Sequence, residues 1–212
     1  MIQNEVSEHD SHRQMTLLEA INEHKKTRLM LYKRSSHEIK RDVNSAKHAA
    51  KDHIGRWLFE LLQNCDDAGA TKVHIVLDGD TFYIADNGSG LKPEAVSAIC
   101  GTDLSDKGPG TIGRKGVGFK SVYEVTSRPA VITVGGLGIE FCPEKTKDWL
   151  RENGLPTDRV PFPWIPFPID WDVARQQHPR LDEFHRNFKT VVILRDVSGD
   201  QQQKVNQLLQ DW

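Results

Sequence analysis

The chain has 212 residues, 37% hydrophobic and 27% charged, with a formal net charge of −2. That length suits one large domain, or a domain with appendages, and the near-neutral charge gives no global case for nucleic-acid or membrane binding. No apolar run approaches the roughly 20 residues that span a bilayer. The N-terminal MIQNEVSEHDSHRQ lacks the apolar core of a signal peptide. Cys65, Cys100 and Cys142 are odd in number and widely spaced, which reads as reduced thiols of a cytoplasmic protein, not a disulfide framework or a zinc site.

In chain order, residues 1–12 are polar. From about Arg13 to Lys33 apolar residues recur at helical spacing, Ser35-Ser36 interrupts, and a second helix is expected over about His37–Lys51. These residues, 1–50, form a helical extension, either a solvated flank or a dimer arm. A third helix, Arg56–Ala70 (RWLFELLQNCDDAGA), sorts cleanly. Ile54, Trp57, Leu58, Leu61, Leu62, Cys65 and Ala68 fall on one arc roughly 140° wide, and Glu60, Asn64 and Asp67 cluster on the opposite side. Taken alone, that polar side is an ordinary solvated face.

Gly69 ends the helix. Lys72–Leu77 and Thr81–Ala85 then read as a β-hairpin around Asp78-Gly79-Asp80. The returning strand runs into Asp86-Asn87-Gly88-Ser89-Gly90, where alternate glycines permit close backbone approach and Asp86 sits at a strand end. Leu91–Ile99 is a short helix. Gly101–Lys115 is a glycine-rich loop leading into Gly113-x-x-Gly116-x-Gly118 and Phe119–Val122. Glycines that open a helix leave N–H groups free to face an anion. The order GxxGxG is not the dinucleotide fingerprint GxGxxG and follows no strand, so a Rossmann reading is rejected.

Val125–Val134 and Gly138–Cys142 are expected strands joined by Gly135-Gly136, and Lys145–Glu152 a short helix. Leu155–Ile169 holds five of the ten prolines and is expected to be extended and packed over the domain surface. Trp171–Phe188 is a polar, helical insertion. Thr190–Leu194 is a buried-type strand, and Val205–Trp212 an apolar-patterned helix. The domain is thus expected over 51–197, with 198–212 opening a following segment of a longer chain.

The order E-x-x-x-N-x-x-D on a helix, D-x-G-x-G at a strand end, G-x-x-G-x-G at a helix start and a later strand opening on Thr190 resembles the GHKL superfamily of ATP-binding domains, found in gyrase, the large heat-shock chaperone, histidine kinases and MutL. The wording RWLFELLQNCDDAGA and IGRKGVGFKSVY is most similar to the sacsin-type, chaperone-like branch. The resemblance spans roughly Gly55–Leu194. It implies an α/β two-layer sandwich, the Bergerat ATP-binding fold, with helices on one face of a mixed, largely antiparallel sheet.

It also implies cofactors, ATP and Mg²⁺, and residue roles. Glu60 would activate the attacking water. Asn64 would bind Mg²⁺ through its amide oxygen, consistent with the hard oxygen ligands that this ion prefers. Asp67 would line the adenine pocket, and Asp86 would accept from the adenine amino group, with Gly88 and Gly90 letting backbone approach the base. Gly113, Gly116, Val117, Gly118 and Phe119 would form the phosphate-facing end, with Lys107 reaching a phosphate. Thr190 would bond near the adenine and Asp86.

The function implied is Mg-ATP binding and hydrolysis that drives a conformational switch or dimerisation in a larger chaperone-like or defence- or DNA-associated protein. The alternatives are an ATP-binding sensor without turnover and a histidine-kinase catalytic domain. Glu60 stands where kinases of this superfamily usually carry asparagine, and no histidine of residues 1–56 has a convincing phosphoacceptor context. A cation for the γ-phosphate usually comes from a following domain in relatives that hydrolyse ATP, so turnover by this segment is expected to be slow. Partners expected are ATP and ADP, a second copy through the N-terminal helices and the following domains of a longer chain. No membrane partner is expected, and nucleic acid stays open.

Overall fold

A computed structural model describes residues 15–52, 56–100 and 117–210. The expectations for Lys107, Gly113 and Gly116 lie outside these residues.

Helix α1 (Leu17–Arg34) opens on a capping box. The Thr16 hydroxyl accepts from the Glu19 N–H at 3.2 Å, and the Glu19 carboxylate accepts from the Thr16 N–H at 2.8 Å. This satisfies donors that a helix start leaves open. The extended Ser35 ends it, and α2 (Ser36–Asp52) follows at once. Neither helix is a detached flank. Ile21 and Ala20 belong to the main core, and Tyr32 and Ile39 pack with Leu150 and Ile165.

Helix α3 (Trp57–Asp67) buries Trp57, Leu58, Leu61 and Cys65 on the arc its spacing predicts. Strands β1 (Val73–Asp78) and β2 (Thr81–Asp86) form the hairpin, with Asp78 opposite Thr81 across a two-residue turn. Helices α4 (Glu94–Cys100) and α5 (Val117–Lys120) follow, and α5 passes into a 3₁₀ turn over Ser121–Glu124. The strand expected from Val125 begins three residues later. Thr126 explains the delay, because its hydroxyl donates to the Arg195 carbonyl and accepts from the Arg128 N–H. Strands β3 (Arg128–Thr133) and β4 (Leu137–Glu140), helix α6 (Pro143–Glu152), strand β5 (Phe167–Asp170), helix α7 (Trp171–Gln177), strand β6 (Thr190–Arg195) and helix α8 (Gly199–Gln210) complete the order.

The six strands run β1-β2-β6-β3-β4-β5, every pair antiparallel. Period-two alternation sends Phe82, Ile84, Val131, Ile139, Val192 and Leu194 to one face. There they meet Trp57, Leu58 and Leu61 of α3, Val96 and Ile99 of α4, and Phe119 of α5. This is the α/β sandwich expected, with the main helical layer on one face.

The opposite face is covered as well. Tyr83, Ala85, Ala130, Ile132, Val191 and Ile193 pack under Trp171, Ala174, Leu181, Phe184 and Phe188. The stretch that reads as a polar insertion is therefore α7 plus a 3₁₀ helix over Pro179–Phe184 laid across the sheet. Its apolar residues follow no single period, which hides their burial from a pattern reading. The proline-rich stretch is likewise more deeply placed than expected, with Trp164 and Ile165 buried in the interior. Its last residues form the edge strand β5, where Pro168 is tolerated. Among the described residues no helix is long and apolar enough to cross a membrane.

Candidate functional site

The site is built where α3 ends against the end of β2. Residues 86–90 are bound to the last turn of α3 and the connection after it. The Ser89 N–H donates to the Ala68 carbonyl at 3.0 Å. The Asn87 amide oxygen accepts from the N–H groups of Thr71 and Lys72, each at 2.9 Å, while its amide nitrogen donates to the Thr71 hydroxyl at 3.0 Å. A side chain at Gly88 has no room: a Cβ there would stand 2.8 Å from both the Cβ and the carbonyl oxygen of Ala68. Gly90 has φ +79°, and the next residue, Leu91, donates its N–H to the Thr133 hydroxyl at 3.3 Å. Left-handed backbone of that kind favours glycine.

Asp86 is the centre of this loop. It is 5% exposed, and its Oδ1 accepts from the Gly88 N–H at 2.8 Å. Thr190, 8% exposed, is directly opposite it in the β2–β6 ladder, which sets its hydroxyl beside the same carboxylate. Burial pushes the Asp86 carboxyl above its ordinary value, and the Gly88 and Thr190 donors pull back toward the charged form. A buried carboxylate so held is an oriented acceptor. Its negative field also reaches α3: the Cys65 thiol is pushed up to about 12, first by burial and then by Asp86. Cys65 is thus an inert packing group.

On the outer side of α3, Asn64 and Asp67 are exposed, and Glu60 is 18% exposed at its side chain. Glu60 pairs at 3.4 Å with Arg56, one turn earlier. Glu60 and Asn64 share a face at a spacing of four. Helix α5 carries Val117, Gly118 and Phe119 and packs against α3. The Phe119 ring points into the core, 6.3 Å from that of Phe141, so toward a ligand this residue offers backbone only. Thus Asp86, Gly88, Gly90 and Thr190 meet where β2 ends against the chain after α3, the helix that carries Glu60, Asn64 and Asp67, and α5 packs on the same helix. Lys107, Gly113 and Gly116 are not among the residues described.

Three contributors escape the sequence reading. Asn87 ties the loop to the α3–β1 connection, and a D-N-G run is a recognisable signal for such side-chain-to-backbone bonding. Thr133 leaves no such signal, whereas Arg56 reaches Glu60 through the i, i+4 spacing of one helix. Among the described residues, no group of three or more His, Cys, Asp or Glu converges on a metal position. A lone exposed amide at Asn64 fits Mg²⁺ held chiefly by phosphates and water, the usual habit of that ion.

Residues 55–138 match the family described as histidine kinase-, DNA gyrase B-, and HSP90-like ATPase. The chain is 33% identical over 86 residues to Protein NO VEIN of Arabidopsis thaliana, covering 37% of this chain. It is 31% identical over 121 residues to human (Homo sapiens) sacsin, covering 47% of this chain. It spans about 3% of the length of each of these relatives. Among solved structures, the N-terminal domain of a DNA repair protein superposes with a TM-score of 0.42 at 14% identity, over 80% of this chain and 44% of that one.

Proposed function

Because residues 55–138 belong to the histidine kinase-, DNA gyrase B- and HSP90-like ATPase family, we propose that the chain is a Mg-ATP-binding module that hydrolyses ATP to drive a conformational switch or dimerisation in a larger protein. The observation that carries this reading is Asp86. It is a buried carboxylate fixed by the Gly88 N–H, with Thr190 opposite it in the ladder, beside a helix that carries Glu60 and Asn64 on its outer side. An acceptor so oriented suits the exocyclic amine of adenine, and Gly88 and Gly90 keep the surrounding backbone free of side chains. Asp67 extends the same wall.

Asn64 would supply one oxygen to Mg²⁺, which when bound neutralises charge on the phosphates. Val117, Gly118 and Phe119 would offer backbone groups to the phosphates, continuing the approach through Lys107, Gly113 and Gly116. Glu60 would take a proton from the attacking water. We take the nucleotide-binding domain as 51–197, with the described part of 1–50 packed on its core through Ala20 and Ile21 and that of 198–212 through Val205. The carboxylate at Glu60 favours water as acceptor over a histidine. The same binding arrangement without turnover, an ATP sensor, is the second reading, and the solvent-exposed position of Arg56 on Glu60 favours it. Calorimetric titration with ATP, with and without Mg²⁺, tests the proposal. Wild type is expected to bind more tightly with Mg²⁺, and Asp86→Asn to lose binding. Unchanged affinity in Asp86→Asn would refute the adenine role.

A further inference from the structure

A second polar cluster lies behind the site, in the helical layer. Arg28 of α1 is buried and donates Nη1 to the Asp42 Oδ2 of α2 at 3.0 Å. Tyr32 donates its hydroxyl to the same oxygen at 2.7 Å, and Asp42 Oδ1 is a buried atom with no hydrogen-bond partner among the described residues. The Trp164 indole N–H donates to the Asp42 carbonyl at 2.8 Å. A buried ion pair of this kind costs desolvation on both sides, so stability alone is a weak account of it.

Its geometry reaches two elements beside the site. Arg28 Nη2 points to the carbonyl of Cys100 at 3.4 Å, and Cys100 is the last residue of α4. Two cations stand over the Trp164 ring, which Asp42 holds at its edge. Arg28 stands 5.3 Å from its centroid and the Lys120 Nζ 4.3 Å. Lys120 is the last residue of α5, is 3% exposed, and follows Phe119, whose ring shares the core with Leu58 and Leu61 of α3. Cation–π contact is strongest when desolvated, as here.

We infer that Arg28 is a positioning residue for the nucleotide site: through the Cys100 carbonyl and the Trp164 platform beneath Lys120, it fixes α4 and α5 against α3. The N-terminal helices are then working parts of the nucleotide-binding unit and not an appended arm. This inference rests on the ATP-binding reading above. Arg, with a planar fork, serves Asp42, Cys100 and Trp164 together, whereas Lys is a point charge.

The test compares wild type with Arg28→Lys and with Arg28→Met/Asp42→Asn, which removes both charges at once and serves if Arg28→Lys does not fold. Two quantities are read: ATP affinity by calorimetry, and the labelling rate of each cysteine by iodoacetamide, resolved by peptide mass spectrometry. Cys142 is part-exposed and reports reagent activity, while buried Cys65 reports the α3 core. The expected result is about tenfold weaker ATP binding, within the usual span of site coupling, with faster labelling of Cys100 and unchanged labelling of Cys65. ATP affinity equal to wild type in a folded variant overturns the inference. So does a parallel rise at Cys65 and Cys100, which marks general loosening. A wild type that does not bind ATP removes the underlying reading and this one with it, and is told apart because it appears before any variant is made.

Discussion

Asp86 and Thr190 stand directly opposite one another on β2 and β6, which sets the Thr190 hydroxyl, a donor that favours the charged form, beside the Asp86 carboxylate. Thr190→Val keeps the shape and removes that donor. A hydrogen bond to a buried charged group is worth about 1.5–3 kcal/mol, so ATP affinity is expected to fall about tenfold or more. Thr190→Ser should retain most of it. Calorimetry giving equal affinity for Thr190→Val and wild type would show that the pair is purely architectural.

Glu60 is the only acidic side chain in the first turn of α3. If it activates water, Glu60→Ala keeps ATP binding and loses hydrolysis by about 10²–10⁴, the usual worth of a general base. Phosphate release measured at saturating ATP checks this. Equal turnover in variant and wild type would sink the assignment and leave the sensor reading standing.

Gly88 is held to the chain after α3 at a distance no Cβ tolerates. Gly88→Ala must push on the Ala68 backbone or on Asp86, and overpacking of that sort costs about 1–3 kcal/mol. It also disturbs the N–H that Asp86 accepts from. The expected outcome is a lower Tm together with weaker ATP binding. Gly136→Ala is the control, since a Cβ there would meet nothing nearer than 3.5 Å. Equal Tm for the two variants would contradict the crowding at Gly88.

His24 carries the pH prediction. Burial, aided by the Arg28 charge and opposed by the Trp164 carbonyl 3.0 Å from Nε2, lowers its imidazole from 6.5 to about 4, and the Lys120 charge adds to the lowering. Between those values the unfolded chain binds a proton that the folded chain refuses. Stability therefore falls as pH is lowered through that window, by roughly 3 kcal/mol at most from this group. Asp42 acts the other way, because burial raises its carboxyl and the folded state then accepts a proton earlier. Urea denaturation of wild type and His24→Gln at pH 7 and pH 5 isolates the histidine. A pH dependence that His24→Gln leaves unchanged would show that His24 is not its source.

Local chemistry made most of the fold legible. The apolar arc of α3, the Asp78-Gly79-Asp80 turn and the break at Ser35 each state their structure within a few residues. The position of Asp86 at a strand end was equally plain. What stayed hidden is made by distant partners. Arg28 meets Asp42 and Cys100, and Trp164 meets Asp42, with nothing in their spacing to announce it. Phe184 and Phe188 cover the far face of the sheet from a stretch that reads as polar. The same holds at the site: the spacing of Arg56, Glu60, Asn64 and Asp67 is visible, whereas Thr133 enters only through tertiary placement.

The central place of β6 has a consequence for how the protein is made. The last strand in sequence lies between β2 and β3, giving each its second neighbour. Until Thr190–Arg195 has left the ribosome, β2 and β3 keep open edges lined with Phe82, Ile84, Val131 and Ile132. Such edges invite pairing with other chains, and pairings far apart in sequence form slowly. Until that strand is made, the sheet begun by β1–β5 stays open, and the segment that closes it also delivers Thr190 to Asp86. Closure of the sheet and assembly of the site are one event, which makes the interval before it the one in which a folding helper would matter most.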